Sequence, residues 1–205
     1  MRTALMLVGA AGSGKDTAAD AIMREIPGCG ELKFALALKE ICCKLFGWDI
    51  HNLTDDLDYK QAAALYPDGE PVMTHDDGTP YTRREIMQFI GTDLFRNQVR
   101  DDVWVRAALS EMRNTEKLRG VPTLWVLTDT RFENEFELVQ KEVDNLFVIQ
   151  VHREGHEIPH SAHESEQGWQ SLPANAAVYA PDGHIPELCE SVMGFTREFL
   201  REVNG

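Results

Sequence analysis

The residues with the clearest chemical purpose are Gly9-Ala10-Ala11-Gly12-Ser13-Gly14-Lys15-Asp16-Thr17, a run that fits G-x-x-x-x-G-K. Glycines at this spacing let a backbone curl closely around a phosphate and aim successive N–H groups at it. Lys15 is a mobile point charge that can reach the outer phosphates of a nucleoside triphosphate. Gly12, Ser13, Gly14, Lys15, Asp16 and Thr17 are therefore the candidate ATP-binding residues, with Lys15 also a catalytic candidate. Asp16 stands where Ser or Thr usually offers a hydroxyl to Mg²⁺. A carboxylate is also a hard oxygen ligand, so Asp16 is a candidate for the metal, directly or through water. It puts negative charge beside the phosphates, which requires a cation between them. The competing reading, a glycine-rich turn without nucleotide, is opposed by the apolar run before it and the helical pattern after it.

A phosphate loop names a nucleotide and leaves the reaction open. The acceptor side must be read from charges elsewhere. Arg83, Arg84, Arg96 and Arg100 surround a predicted helix over 82–99, where Arg84, Gln88, Gly91 and Thr92 fall near one polar edge. Arginine forks match phosphate oxygens bidentately. The alternative is a set of solvated arginines paired with Asp93, Asp101 and Asp102. Gly91 inside that helix costs about 1 kcal/mol against Ala and points to close approach of a substrate or another backbone.

A second block, Thr128-Asp129-Thr130-Arg131-Phe132-Glu133-Asn134-Glu135, follows an apolar run. Ligands of open α/β sheets sit at the carboxyl ends of strands. Asp129 is there a candidate for holding Mg²⁺ through water or orienting an acceptor, and Arg131 for touching phosphate; Asp129 is equally read as the cap of the next helix. Residues 152–170 carry His152, Arg153, His156, His160, His163, Glu164 and Glu166. The histidine spacings are compatible with zinc, but no cysteine accompanies them, so a polar lid over 152–173 is preferred. Arg153 at its entrance is a candidate to meet the charge that develops on a transferring phosphoryl group.

These side chains need elements to place them. Residues 3–8, 121–127 and 146–151 read as buried strands, with shorter strands at 31–34 and 176–180. Helices are expected over 14–26, over a stretch carrying Phe34, Leu38, Ile41 and Leu45 that stops at Gly47, and over 82–99, where Thr82 and Glu85 form a capping box and Ile86, Ile90 and Leu94 stack. Further helices are expected over 102–117 and 133–142, and a last one with Ile185, Leu188, Val192, Phe195, Phe199 and Val203 on one face. Residues 49–81 are acidic and rich in turn formers, and read as a surface excursion of one domain spanning 1–205. Strands alternating with helices predict an α/β fold with a mainly parallel sheet.

Composition bounds the partners. Against 20 Lys+Arg stand 34 Asp+Glu, a net charge of −14. Such a chain lacks the basic footprint for nucleic acid or an anionic membrane surface. No apolar stretch reaches membrane length. Cys29, Cys42, Cys43 and Cys189 show no CxxC spacing and read as free thiols of a cytoplasmic protein.

Taken together, the Gly-Lys-Asp-Thr loop, Phe34-Ala35-x-x-Leu38-Lys39, Arg84-x-x-x-Gln88-x-x-Gly91-Thr92-x-x-x-Arg96, Trp104, Asp129-x-Arg131-Phe132-x-Asn134-Glu135 and His163-x-x-Glu166 resemble the bacteriophage deoxynucleoside monophosphate kinases over nearly the whole chain. The chain is also similar to the animal-type phosphomevalonate kinases, which share the Lys-Asp-Thr loop. The first resemblance implies a P-loop NTPase fold of three α/β/α layers with acceptor-binding and lid excursions. It implies transfer of the γ-phosphoryl group of ATP, with Mg²⁺, to a deoxynucleoside 5′-monophosphate in a host cytoplasm, and a homodimer. By resemblance, Lys39, Arg84, Gln88, Thr92, Arg96, Trp104, Asp129 and Arg131 serve the acceptor, Asp16 and Asp129 the metal, and Ala180 and Pro181 the adenine pocket. Two rivals stay open: a P-loop kinase of another phosphorylated metabolite such as phosphomevalonate, and an ATP-binding module with no acceptor.

Overall fold

The computed structural model describes residues 1–155 and 168–205. His156, His160, His163, Glu164 and Glu166 of the expected lid lie outside the described residues. The described chain divides into two compact units, Met1–Lys33 with Ala108–Gly205, and Phe34–Ala107.

The first unit is built on five parallel strands in the order β2-β3-β1-β4-β5. They are β1 (Thr3–Val8), β2 (Cys29–Leu32), β3 (Leu124–Leu127), β4 (Asn145–Arg153) and β5 (Ala176–Ala180). β1 lies between β3 and β4, and all six of its residues are buried. A strand covered on both faces has no polar alternation, hence the unbroken TALMLV run. Three boundaries differ from the expectation. β2 starts at Cys29, where it pairs with Leu124, and ends before Lys33. β3 is shorter, because Pro122 brings no N–H to a ladder and Val121 is exposed. β4 runs on to Arg153, so His152 and Arg153 belong to a strand and not to a loop.

One face of the sheet carries α1 (Lys15–Glu25) and α8 (Ile185–Asn204). Leu5, Leu7, Val126, Ile149 and Val151 point into a core shared with Ala18, Ile22, Leu188, Val192 and Phe199. Alternation sends Trp125 to the opposite face, where its indole N–H donates to Glu116 Oε1 at 3.2 Å. That bond places the second half of α6 (Val103–Arg119) against the sheet. α7 (Glu133–Glu142) follows β3. The result is three layers, helix on sheet on helix. Ile185 departs from the expected apolar face of α8: it is 43% exposed, in the helix's opening turn beside Pro186.

In the second unit, α2 (Ala35–Phe46) ends at Gly47, whose φ of 71° makes the left-handed stop. The acidic excursion holds two short helices, α3 (Ile50–Asp55) and α4 (Leu57–Gln61). Two of its acids are their caps: Asp49 accepts from the Asn52 N–H and Asp56 from the Tyr59 N–H. Leu53 and Ala64 are fully buried, and the Arg83 guanidinium lies 4.0 Å over the Tyr59 ring. α5 (Arg83–Gln88) opens with the expected capping box of Thr82 and Glu85. The winding then widens into a π-helix over Phe89–Val99, closed by an i→i−5 bond from Arg100 N to Phe95 O at 2.9 Å. Ile86 and Ile90 are buried as an α-helical row requires, but the wider winding carries Leu94 out of that row to 41% exposure. Gly91 is explained by α2, since a Cβ there would stand 2.7 Å from Leu38 Cδ2.

Candidate active site

The glycine loop runs from the end of β1 to the start of α1. Gly12 and Gly14 have φ of 77° and 97°, the left-handed region that favours glycine. A Cβ on Gly14 would meet Leu188 Cδ2 at 2.5 Å, and one on Gly9 would meet the Val151 carbonyl at 2.3 Å. The loop thus threads between β4 and α8 at a closeness only glycine permits. Lys15 is 7% exposed, and its ammonium donates to the Ala10 carbonyl at 2.6 Å. The Ser13 hydroxyl is buried with no hydrogen-bond partner among the described residues. An orphaned hydroxyl at the mouth of a helix N-terminus fits a phosphate oxygen.

Beside the loop lies a cleft of about 250 Å³, walled by Gly12–Gly14 on one side and by Ala180–Ile185 and Leu188 on the other. Ala180 and Pro181 stand in it, next to the loop. Arg153 reaches over from the end of β4, donating to the Gly12 carbonyl at 3.1 Å and pairing with the Asp182 carboxylate. A larger hollow of about 520 Å³, lined by Ile26, Arg197 and Asn204 among others, includes none of the loop residues.

On the other side of the loop, β3 delivers its carboxyl end. The Thr128 hydroxyl donates to Asp16 Oδ1 at 2.8 Å, which joins the start of α1 to the end of β3, and Asp129 follows directly. Asp129 is not the cap of α7; that position belongs to Phe132. Glu135, buried in the first turn of α7, turns back so that Oε2 accepts from the N–H groups of Arg131 at 2.8 Å and Phe132 at 3.1 Å. Gly168 presses on the same turn, since a Cβ there would lie 2.3 Å from the Arg131 carbonyl. Arg131 therefore leaves a backbone fixed from two directions.

Asp16 and Asp129 are hard oxygen donors at the carboxyl edge of the sheet, the chemistry Mg²⁺ prefers. Among the described residues no cluster of three or more metal-binding side chains exists. A six-coordinate Mg²⁺ would then take its remaining ligands from nucleotide phosphates and water.

One charged neighbour was not foreseen. Lys33 emerges from the end of β2, and its ammonium lies 2.8 Å from Glu31 Oε1. Burial works to lower the Lys33 pKa, but Glu31, then Asp16 and Asp129, outweigh it and raise it above the ordinary lysine value. With β2 expected over 31–34, Lys33 fell inside a strand; with the strand at Cys29–Leu32 it falls at the carboxyl edge, where ligands bind.

The remaining sequence-derived acceptor residues lie in the second unit. Lys39 is half-buried on α2. Arg84 and Gln88 lie on α5, and Thr92 and Arg96 on the π-helix, with Thr92 buried. Trp104 is buried, its indole N–H donating to the Gly91 carbonyl at 2.8 Å and its ring 5.2 Å from that of Phe95. Of the basic cluster, Arg83 is engaged with Tyr59 and Arg100 with Asp102.

The family model for deoxynucleotide monophosphate kinase matches residues 55–192. That span takes in Arg84 to Arg96, the Asp129–Glu135 block, Arg153 and the cleft wall to Leu188, and leaves the glycine loop outside it. No curated protein matches the chain. Among solved structures, it is similar to a sugar kinase from Janibacter sp. HTCC2649, at 14% identity and a TM-score of 0.46, covering 98% of this chain and 95% of that one. It is also similar to a gluconokinase from Sinorhizobium meliloti 1021, at 14% identity and a TM-score of 0.39, covering 98% and 99%. Likenesses this distant carry no argument about substrate. The family match spans more than half of the chain, and the glycine loop beyond it has the strand-to-helix setting that binding a triphosphate requires: the chain belongs to the deoxynucleotide monophosphate kinase family and is a nucleotide-binding kinase.

Proposed function

We propose that the protein transfers the γ-phosphoryl group of ATP to a deoxynucleoside 5′-monophosphate, yielding ADP and the diphosphate for DNA precursor synthesis. The observation that carries this reading is the match to the deoxynucleotide monophosphate kinase family over residues 55–192, and the glycine loop beside a cleft walled by Ala180–Ile185 supports its donor side. Gly12, Ser13, Gly14, Lys15, Asp16 and Thr17 hold the triphosphate. Lys39, Arg84, Gln88, Thr92, Arg96, Trp104, Asp129 and Arg131 serve the monophosphate.

An oxygen of the acceptor phosphate attacks the γ-phosphorus, and the bond from that phosphorus to the β,γ-bridging oxygen breaks, leaving ADP. The attacking oxygen already carries charge at neutral pH, so no general base is needed. The protein's contribution is alignment and cationic stabilisation of the equatorial oxygens by Lys15, Arg131 and Arg153. Asp16 and Asp129 would hold Mg²⁺, which when bound would supply neutralisation of phosphate charge.

The test is an ADP-release assay with dTMP, dGMP, dCMP, dAMP, a hydroxymethylated pyrimidine monophosphate and phosphomevalonate as acceptors. At least one deoxynucleotide should stimulate ADP release and phosphomevalonate should not. ATP turnover indifferent to every monophosphate would overturn the proposal. A homodimer belongs to the same reading, and sedimentation equilibrium checks it.

A further inference from the structure

Lys33, Asp16 and Asp129 are carried to one edge of the sheet by β2, α1 and the residues after β3. The register of β2 against β3 pairs Leu32 with Leu127, so Lys33 stands one residue beyond the ladder, level with Thr128. The Thr128 hydroxyl is bonded to Asp16 Oδ1 at 2.8 Å, and Asp129 is the next residue. Lys33 thereby stands on the strand next to Thr128, whose hydroxyl holds Asp16 and whose chain neighbour is Asp129, the two carboxylates that the proposed function gives to Mg²⁺. Its side chain is only 23% exposed and is tethered by Glu31 Oε1 at 2.8 Å, so the ammonium does not sweep freely through solvent.

We propose that Lys33 is a positioning residue of the phosphoryl-transfer site, whose ammonium neutralises the Asp16–Asp129 pair in the nucleotide-free protein and so keeps free Mg²⁺ out until it arrives complexed with ATP. This rests on the kinase reading of the same site. The raised pKa of Lys33 agrees with it, since Asp16 and Asp129 both act to raise it. The physics is competition between cations. Two carboxylates at one sheet edge repel each other, and a fixed ammonium relieves that repulsion without losing its own tether. Mg²⁺ alone must shed tightly held water to enter, against the field of Lys33. Mg²⁺ bound to ATP brings phosphate oxygens of its own, and these give the ammonium new partners. Asp16, an unusual residue beside a triphosphate, is then balanced by charge in both states of the site.

The experiment titrates Mn²⁺, an EPR-visible substitute for Mg²⁺, into nucleotide-free protein. Wild type, Lys33→Met, Lys33→Arg and the double variant Lys33→Met with Asp16→Asn are compared, with circular dichroism as the check on folding. Lys33→Met should bind Mn²⁺ about tenfold or more tightly than wild type. Lys33→Arg should match wild type, and the double variant should lose the gain. Lys33→Gln replaces Lys33→Met if the latter does not fold. Equal Mn²⁺ affinity in wild type and Lys33→Met, including no binding in either, overturns the proposal, and so does a gain that survives Asp16→Asn. The titration uses no acceptor. Failure to phosphorylate any monophosphate would sink the substrate reading and leave this result standing, and an unchanged Mn²⁺ affinity in an active kinase would do the reverse.

Discussion

A lysine in a glycine loop is useful only where its ammonium can reach. In this protein Lys15 Nζ lies inside the curl of its own loop, 2.6 Å from the Ala10 carbonyl, so a short movement would carry it to a bound phosphate. Lys15→Ala should lower kcat by about 10²-fold or more while the circular dichroism spectrum stays that of wild type. Full activity in that variant would remove Lys15 from the mechanism. Arg153 is a different kind of cation, because it is held between the Gly12 carbonyl and the Asp182 carboxylate. Both partners of that ion pair are substantially exposed, at 37% and 68%. Pairs of this kind are worth ~0–1 kcal/mol, so Asp182→Ala should raise the KM for ATP by up to about fivefold. The KM for the monophosphate should hardly move; an equal rise in both would show that Asp182 does not act through the nucleotide cleft.

At the scale of elements, the start of α5 and the turn before α7 are the places where a single change has a calculable effect. Thr82 and Glu85 cap α5 reciprocally, so Thr82→Ala should cost about 1 kcal/mol in urea melts. The Glu85 pKa is lowered, chiefly by the backbone N–H of Thr82 that its carboxylate accepts. A carboxylate with a lowered pKa stabilises the fold above its ordinary value and loses that contribution as pH falls through the lowered one. The stability gap between wild type and Glu85→Gln should therefore be widest near pH 7 and close as pH falls below the usual glutamate range. A gap independent of pH would mean that the box does not depend on the charge. Two glycines offer a paired comparison. At Gly168 a Cβ would meet the Arg131 carbonyl, which is backbone and cannot swing aside; at Gly91 it would meet the end of the Leu38 side chain. Gly168→Ala should be the more destabilising and should lower kcat, because it pushes on the turn that carries Arg131. Gly91→Ala recovers about 1 kcal/mol of helix propensity against the Leu38 clash and should lie near neutral.

For the whole molecule, a net charge of −14 sets the field that an incoming anion meets. The cations proposed for the site, Lys15, Lys33, Arg131 and Arg153, would act over short distances, whereas a net negative charge repels MgATP from afar. Added salt screens the long-range term first. kcat/KM for ATP should then rise with ionic strength, by about twofold between 0.02 and 0.2 M. A steep fall would show that the local cations dominate capture.

What the chain determines by itself is what neighbouring residues decide among themselves. The glycine loop, the buried TALMLV strand, the Thr82–Glu85 capping box and the bounds of α7 are all legible because each is a contract between residues a few positions apart. The placement of β2 was not, since Glu31 to Phe34 shows no distinguishing period and the strand is defined by pairing Cys29 with Leu124. The π-helix was not legible either. Its sequence has an α-helical row, and its surroundings, Leu38 against Gly91 and the Trp104 bond to the Gly91 carbonyl, come from other helices of its unit. The site shows the same division. Residue types identified Asp16, Asp129, Arg131 and Arg153 as candidates, but Asp16 meets Thr128 across 112 positions, Arg153 meets Asp182 across 29, and Lys33 comes level with Thr128 only through the β2–β3 register. Coulomb and hydrogen-bond energies depend on distance in space. Until the parallel sheet sets that distance, a sequence can nominate charges but cannot say which of them balance one another.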